Sequence, residues 1–378
     1  MKKNNKSIIY KNVCCPICKT NDYELLNIRE KTIETISFIF DFNNKEVCCL
    51  RCGLIYLNPM PCQESLNEYY SSKTLNIGLP DYNMQNRIQL IKNIITDKSK
   101  TVVEIGSNNG SFVNECKKFI DNIYGIDIGD SEESNEINTI KNESVDIFIL
   151  NHVMEHLPDP MDYLNQLHSK LNNNGKIICE VPIIEKYLKV KNNALYHEHL
   201  LHFSENTLKL LFKIAGFKIN MIEKKLISRP VGMILIAEKN GNHSIDIKKD
   251  NVSIKIFSNA LAQEKSVQET QRLFVESQFS STDGIIGVWG ANEYADFILH
   301  CADSINLKRI LIFDKSPKKY GTIFGTGGNK TQILNPLIYK KINKLSALII
   351  CAVSWKNEIR NELLNYGLSK NNIHVFPY

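Results

Sequence analysis

Thr101-Val-Val-Glu-Ile-Gly-Ser-Asn-Asn-Gly110 is a β-branched apolar run that meets an acidic residue and then a turn bracketed by glycines. The run reads as a strand. Its end at Glu104 and Gly106 sets a carboxylate and backbone amides at the carboxyl edge of a sheet, where open α/β sheets bind their ligands. The spacing Glu-x-Gly-x-x-x-Gly lacks the first glycine of the Gly-x-Gly-x-x-Gly loop that cradles a dinucleotide. A cofactor without a pyrophosphate suits this turn, lined by Gly106, Ser107, Asn108 and Gly110.

Outward from this strand, apolar segments at 123–128, 146–150, 176–181 and 233–238 alternate with helical stretches. Alternation of this kind predicts a mostly parallel, doubly wound sheet. A polar segment at 240–250 closes the region, and 252–278 reads as a helix leading out of it. After Ser280 the alternation resumes with Gly284-Ile-Ile-Gly-Val-Trp-Gly290, Arg309-Ile-Leu-Ile-Phe-Asp314 and Ala347-Leu-Ile-Ile-Cys-Ala352, a second, smaller α/β unit. The expected division is therefore 1–75, 76–245 and 246–378.

A chain of 378 residues is too long for one compact core, and 43% apolar with 23% charged residues is an ordinary globular composition. The net charge of +5 is small and scattered, which argues against nucleic acid or an anionic membrane as partner. No apolar run approaches the roughly 20 residues that span a bilayer, and Met-Lys-Lys-Asn-Asn-Lys at the amino terminus lacks a signal's apolar segment. The expected location is the cytoplasm. There, the 11 cysteines favour metal binding or free thiols over disulfides.

Cys15-Pro-Ile-Cys18 and Cys49-Leu-Arg-Cys52 form two Cys-x2-Cys knuckles, the arrangement in which four thiolates surround one tetrahedral zinc. Cys14 and Cys48 adjoin proposed ligands, and the x2 spacing selects Cys15, Cys18, Cys49 and Cys52. Four thiols leave no position for water, so the site is expected to be structural. Around it the sequence predicts short strands at 35–40 and 54–57 in a module too poor in apolar residues to fold without metal.

Ile123-Tyr-Gly-Ile-Asp-Ile128 ends a second strand in Asp127, where a carboxylate can accept both hydroxyls of a ribose. Val145-Asp-Ile-Phe-Ile-Leu150 then runs into Asn151-His-Val-Met-Glu-His-Leu-Pro-Asp-Pro160, which leaves the sheet edge with Asn151 and His152 facing the cofactor. Together with the glycine turn and the later strand Ile177-Ile-Cys-Glu-Val-Pro182, these segments resemble the motifs of class I S-adenosylmethionine (SAM) methyltransferases. The resemblance implies a Rossmann-like fold with SAM held at Glu104, Gly106, Ser107, Asn108, Gly110, Asp127, Asn151 and His152. Only 17 residues separate Asp127 from Val145, where that family places a helix, a strand and another helix. Either the sheet is one strand short, or the adenine pocket is rudimentary and closed by the acidic stretch at 130–136.

Tyr196-His-Glu-His-Leu-Leu-His-Phe-Ser204 packs proton-carrying groups into one loop. Metal binding competes as a use for these histidines, but no distant carboxylate visibly completes a ligand set. Ser204 reads as the N-cap of a helix over 205–215. The Tyr-His-Glu-His string, the cysteine module and the terminal α/β unit together resemble the sugar C-methyltransferases of deoxysugar and surface-polysaccharide pathways. That resemblance implies His199 as general base, Tyr196 and Glu198 in support, His156 facing the substrate, and a terminal domain that helps hold a nucleotide-linked sugar. O- or N-methylation of a sugar or small metabolite, and a non-catalytic binding subunit, are the alternatives.

Overall fold

The computed structural model describes residues 4–35, 38–72, 84–127, 136–190, 195–225, 227–240, 245–325 and 329–378. The chain forms two compact units, 1–261 and 262–378, divided within the helix Asn251–Ser281.

The first unit is organised by a six-stranded sheet. Its strands are β1 (Thr101–Ile105), β2 (Asn122–Ile126), β3 (Val145–Asn151), β4 (Leu171–Pro182), β5 (Phe217–Glu223) and β6 (Gly232–Lys239), in the order β5-β6-β4-β3-β1-β2. Neighbours from β4 to β2 run parallel, whereas β6 and β5 are antiparallel additions at the other end. Period-two alternation explains how both faces are buried. Val103, Phe148 and Leu150 face one core with Leu164 and Leu167 of helix α3 (Pro160–Lys170) and Leu208 and Leu211 of α4 (Glu205–Ile214). Val102, Ile147 and Ile149 face the other, against Ile88 and Ile91 from α1 (Met84–Ile94) and Phe112 from α2 (Ser111–Cys116).

The short interval after Asp127 has a structural counterpart. Among the described residues the sheet ends at β2, one strand short of the family's expected edge. Of the acidic stretch, 130–135 lie outside the described residues. β5 was not anticipated from the sequence, because only Phe217 of its seven residues is buried.

The amino-terminal sheet also departs from expectation. The strand expected at 54–57 is present as Ile55–Leu57, but beside it lies a long hairpin, Tyr23–Glu34 against Phe38–Cys49, that was not expected; of the strand expected at 35–40, residues 36 and 37 lie outside the described residues. Leu25 and Ile28 are exposed on Tyr23–Glu34, and Glu24, Arg29, Glu30 and Lys31 punctuate it, so the strand shows no core-facing alternation and is held by its ladder. The module also holds an aromatic cluster, with Phe40 and Phe42 edge-on to Tyr69 at 5.4 and 5.0 Å between centroids. Leu201–His202 joins this sheet by pairing with Ile55 and Tyr56, which carries the histidine loop onto the cysteine-bearing segment.

The second unit has a six-stranded sheet ordered Ile323–Phe324, Thr331–Leu334, Ile310–Phe313, Ile286–Trp289, Ala347–Ile350, Ile373–Val375. All pairs but the first are parallel. Strand order reverses beside Ile286–Trp289, and a cavity of about 300 Å³ opens there between Trp289, Gly290, Asp314 and Trp355. Among the described residues no helix is long and apolar enough to cross a membrane.

Candidate active site

Turns bring the two cysteine knuckles together. Sγ atoms of Cys15 and Cys52 lie 3.5 Å apart, those of Cys18 and Cys49 lie 3.4 Å apart, and all four fall within 4.8 Å of one another. A tetrahedral zinc with bonds of 2.3 Å needs sulfurs separated by roughly 3.8 Å, so the set fits that ion. The two neighbouring cysteines stand apart from this cluster. Cys14 is exposed, while the Cys48 thiol is buried, donates toward the Cys49 carbonyl, and is pushed by burial up to about 12.

At the other pole, β2, β1 and β3 end level with one another, since Ile105 pairs with Ile126 and Leu150. Gly106, Asp127 and Asn151 thus occupy one edge. Gly106 takes φ +73°, and its amide and that of Ser107 both donate to the Ile126 carbonyl, at 2.7 and 3.2 Å. A Cβ at Gly106 would meet Val153 Cγ2 at 2.8 Å, and one at Gly125 would meet Ser107 Cβ at 2.4 Å. Glycine at both places lets the turn fold back onto β2. Asn108 and Gly110 complete it with φ of +48° and +69°. Glu104 is buried, and Arg87 donates to its Oε1 at 2.5 Å while lying 3.7 Å over the Phe112 ring. Arg87 belongs to no motif, and no local pattern announces it. Asn151 Nδ2 is buried without a hydrogen-bond partner, a donor that a ligand at this edge can satisfy.

His152 has a different setting from the cofactor contact expected of it. Its Nδ1 lies 3.1 Å from Glu155 Oε1 and its Nε2 lies 3.0 Å from Ser228 Oγ and 3.5 Å from Glu180 Oε1, so both ring nitrogens are engaged by the protein. Burial opposes its protonation, but hydrogen bonds and charge from Glu155 and Glu180 prevail and raise its pKa to about 9. His152 is a cationic clamp between two fully buried carboxylates. Glu180 further accepts from the Ser228 amide at 2.7 Å, and Gly232 gives it room, since a Cβ there would lie 2.4 Å from Glu180 Oε1. A lone Glu in the otherwise apolar Ile177-Ile-Cys-Glu-Val-Pro182 was the available signal for this network.

The histidine loop meets the segment after β3. His156 Nδ1 lies 3.0 Å from the Glu198 carbonyl and 3.3 Å from Tyr70 Oη, and the His156 and His199 rings are 5.0 Å apart between centroids. The Leu200 amide donates to the Glu155 carbonyl at 2.8 Å and fixes the two loops together. Tyr196 is 40% exposed, with its ring 5.6 Å from that of His199. Glu198, expected to support His199, directs its carboxylate to Tyr69 Oη at 2.6 Å and His197 Nε2 at 3.3 Å. Burial, with electrostatic repulsion from the neighbouring basic side chains adding to it, drives the pKa of His199 well below the ordinary imidazole value. Its Nδ1 is buried without a hydrogen-bond partner. Tyr69 and Tyr70 come from the helix Gln63–Ser72, far away in sequence, which is why the loop's own pattern missed them. Ser204 caps α4 as expected, in a capping box with Thr207.

Comparison with known proteins agrees with the class that this sheet edge suggests. Residues 80–221 match a family described as "Methyltransferase domain". The chain therefore carries a methyltransferase domain and is a methyltransferase. No curated protein matches the chain. Among solved structures it is similar to the 1,6-didemethyltoxoflavin-N1-methyltransferase of Burkholderia thailandensis, which was solved with S-adenosylhomocysteine; identity is 12% over 51% of this chain and 97% of that one, with a TM-score of 0.39. It is also similar to a SAM-dependent methyltransferase from Archaeoglobus fulgidus, at 18% identity over 47% of this chain and 100% of that one, with a TM-score of 0.32. Both likenesses are weak.

Proposed function

We propose that this methyltransferase C-methylates a nucleotide-linked keto-deoxysugar, with His199 as the base that enolises it. The observation that carries the reading is His199 itself: a half-buried, neutral imidazole with a buried, unpartnered Nδ1, on the loop that carries Tyr196 and against His156 of the segment leaving β3. A neutral imidazole is the form that accepts a proton.

Carbon attacks a methyl donor only as a carbanion equivalent, so a proton beside the sugar's ketone must leave first. His199 takes that proton, and Tyr196 donates a hydrogen bond to the enolate oxygen, with His156 facing the substrate beside it. Glu198 positions the loop through Tyr69. When bound, SAM supplies an electrophilic methyl, whose bond to sulfur breaks as the bond to carbon forms. Asp127 would hold the ribose and Asn151 a polar group of the cofactor, over the turn of Glu104, Gly106, Ser107, Asn108 and Gly110. For His152, the clamp geometry supports positioning of the edge. Residues 1–75 form, on this reading, a structural zinc module held by Cys15, Cys18, Cys49 and Cys52. Residues 76–245 bind SAM, and 246–378 help hold the nucleotide.

The test uses a nucleotide-linked 4-keto-deoxysugar in deuterium oxide. Wild-type enzyme is expected to wash deuterium into the carbon beside the ketone, and His199→Ala to abolish exchange while still binding SAM in calorimetry. A methyl ether or methylamine product would assign the enzyme to O- or N-transfer. Absence of SAM binding in folded protein would sink the reading.

A further inference from the structure

We infer that Glu155, His156 and His199 form a second site, for one divalent transition-metal ion of the zinc, cobalt or nickel kind. Each offers a ligand atom, and these atoms lie within 4.8 Å of one another. One oxygen of the fully buried Glu155 is held by His152, whereas Oε2 is buried without a hydrogen-bond partner. A buried carboxylate oxygen in that state calls for a donor or a metal ion. His156 Nδ1 lies 3.0 Å from the Glu198 carbonyl, which takes its proton as a hydrogen bond and leaves the lone pair on Nε2, 4.0 Å from Glu155 Oε1. A backbone carbonyl orienting an imidazole in this way is the usual outer contact of a metal-bound histidine. His199 adds a ring whose Nδ1 is buried and unmatched.

The ligands come from two segments already locked together by the Leu200 amide and Glu155 carbonyl. From the loop alone a metal lacked a distant carboxylate; Glu155 is that carboxylate. Bonds of 2.0–2.2 Å require the donor atoms to close by roughly 1 Å, which side-chain rotation supplies. Two imidazoles and one carboxylate leave a fourth position open, unlike the closed set of four thiols. Imidazole and carboxylate together suit zinc, cobalt or nickel over magnesium. If His199 is the base proposed above, an ion held there withdraws it from proton transfer. Binding of the ion stands independently of that reading.

The experiment titrates untagged, full-length, zinc-loaded protein with Co²⁺, following stoichiometry and absorption. One further equivalent per chain is expected, with visible ligand-field bands and no new thiolate-to-cobalt charge transfer. In His156→Ala and in His199→Ala its affinity is expected to fall at least about 10-fold, with circular dichroism and cysteine-bound zinc unchanged. The inference is overturned if wild-type protein takes up no further equivalent, if that equivalent carries a thiolate signature, or if both variants bind it as wild type does. Failure of the titration overturns this site alone, because deuterium exchange that depends on His199 is read in protein without a second ion and tests only the proposed reaction.

Discussion

His202 makes the fold sensitive to acid by an amount that its surroundings set. It is fully buried on the short strand that joins the histidine loop to the amino-terminal sheet, with Nδ1 3.0 Å from Tyr187 Oη and its ring 5.0 Å from that of Phe257. Burial, with the charge of Arg29 adding to it, pushes its pKa down from 6.5 to about 3. In the unfolded chain this histidine binds a proton below about pH 6.5, while in the folded chain it resists until about pH 3. Above pH 6.5 neither state is protonated and nothing is lost. Below it, the unfolded state binds the extra proton, so stability falls by about 1.4 kcal/mol per pH unit, or about 2 kcal/mol by pH 5. His202→Phe keeps the ring and removes the titration. At pH 8 it costs about 1 kcal/mol by leaving the Tyr187 hydroxyl without a partner. Urea unfolding of both full-length chains at pH 8, 7, 6 and 5 reads the difference, and other acid-labile features, thiolate sites among them, cancel. The variant is expected to be the less stable at pH 8 and to draw level or better at pH 5. Parallel stability curves for the two chains would refute the reasoning.

Other perturbations probe the cofactor edge and the thiols. Arg87→Ala leaves Glu104 buried without its cation and is expected to cost about 3–5 kcal/mol in thermal or urea unfolding; a cost under 1 kcal/mol counts against the ion pair's role. Gly125→Ala drives a methyl into Ser107, and SAM affinity in calorimetry is expected to fall at least about 10-fold with stability less affected; unchanged affinity would detach the turn from the cofactor. Cys49→Ser is expected to lower zinc per chain in elemental analysis and the melting temperature together, whereas Cys14→Ser leaves both unchanged; equal effects of the two substitutions would reject the assigned ligand set.

What the sequence discloses here follows the range of the forces involved. Cys-x2-Cys is local chemistry, and β1 with its glycine turn is local geometry, so both are readable from spacing; Asn151 follows because parallel strands of similar length end level. Arg87 under Glu104, Tyr69 on Glu198, and Glu180 on His152 join residues separated by 17, 129 and 28 positions, and no local pattern announces them. The strand Tyr23–Glu34 escaped for a related reason: its ladder satisfies the backbone while its side chains remain half in water. These long-range contacts also make the cysteine cluster matter to the chemistry. Cys49 ends the strand Phe38–Cys49, Ile55–Leu57 pairs with that strand, and Leu201–His202 pairs with Ile55–Leu57. Three residues before His202 stands His199. Loosening the thiol cluster therefore loosens, through two rungs of β-ladder, the strand that sets the height of the proposed base.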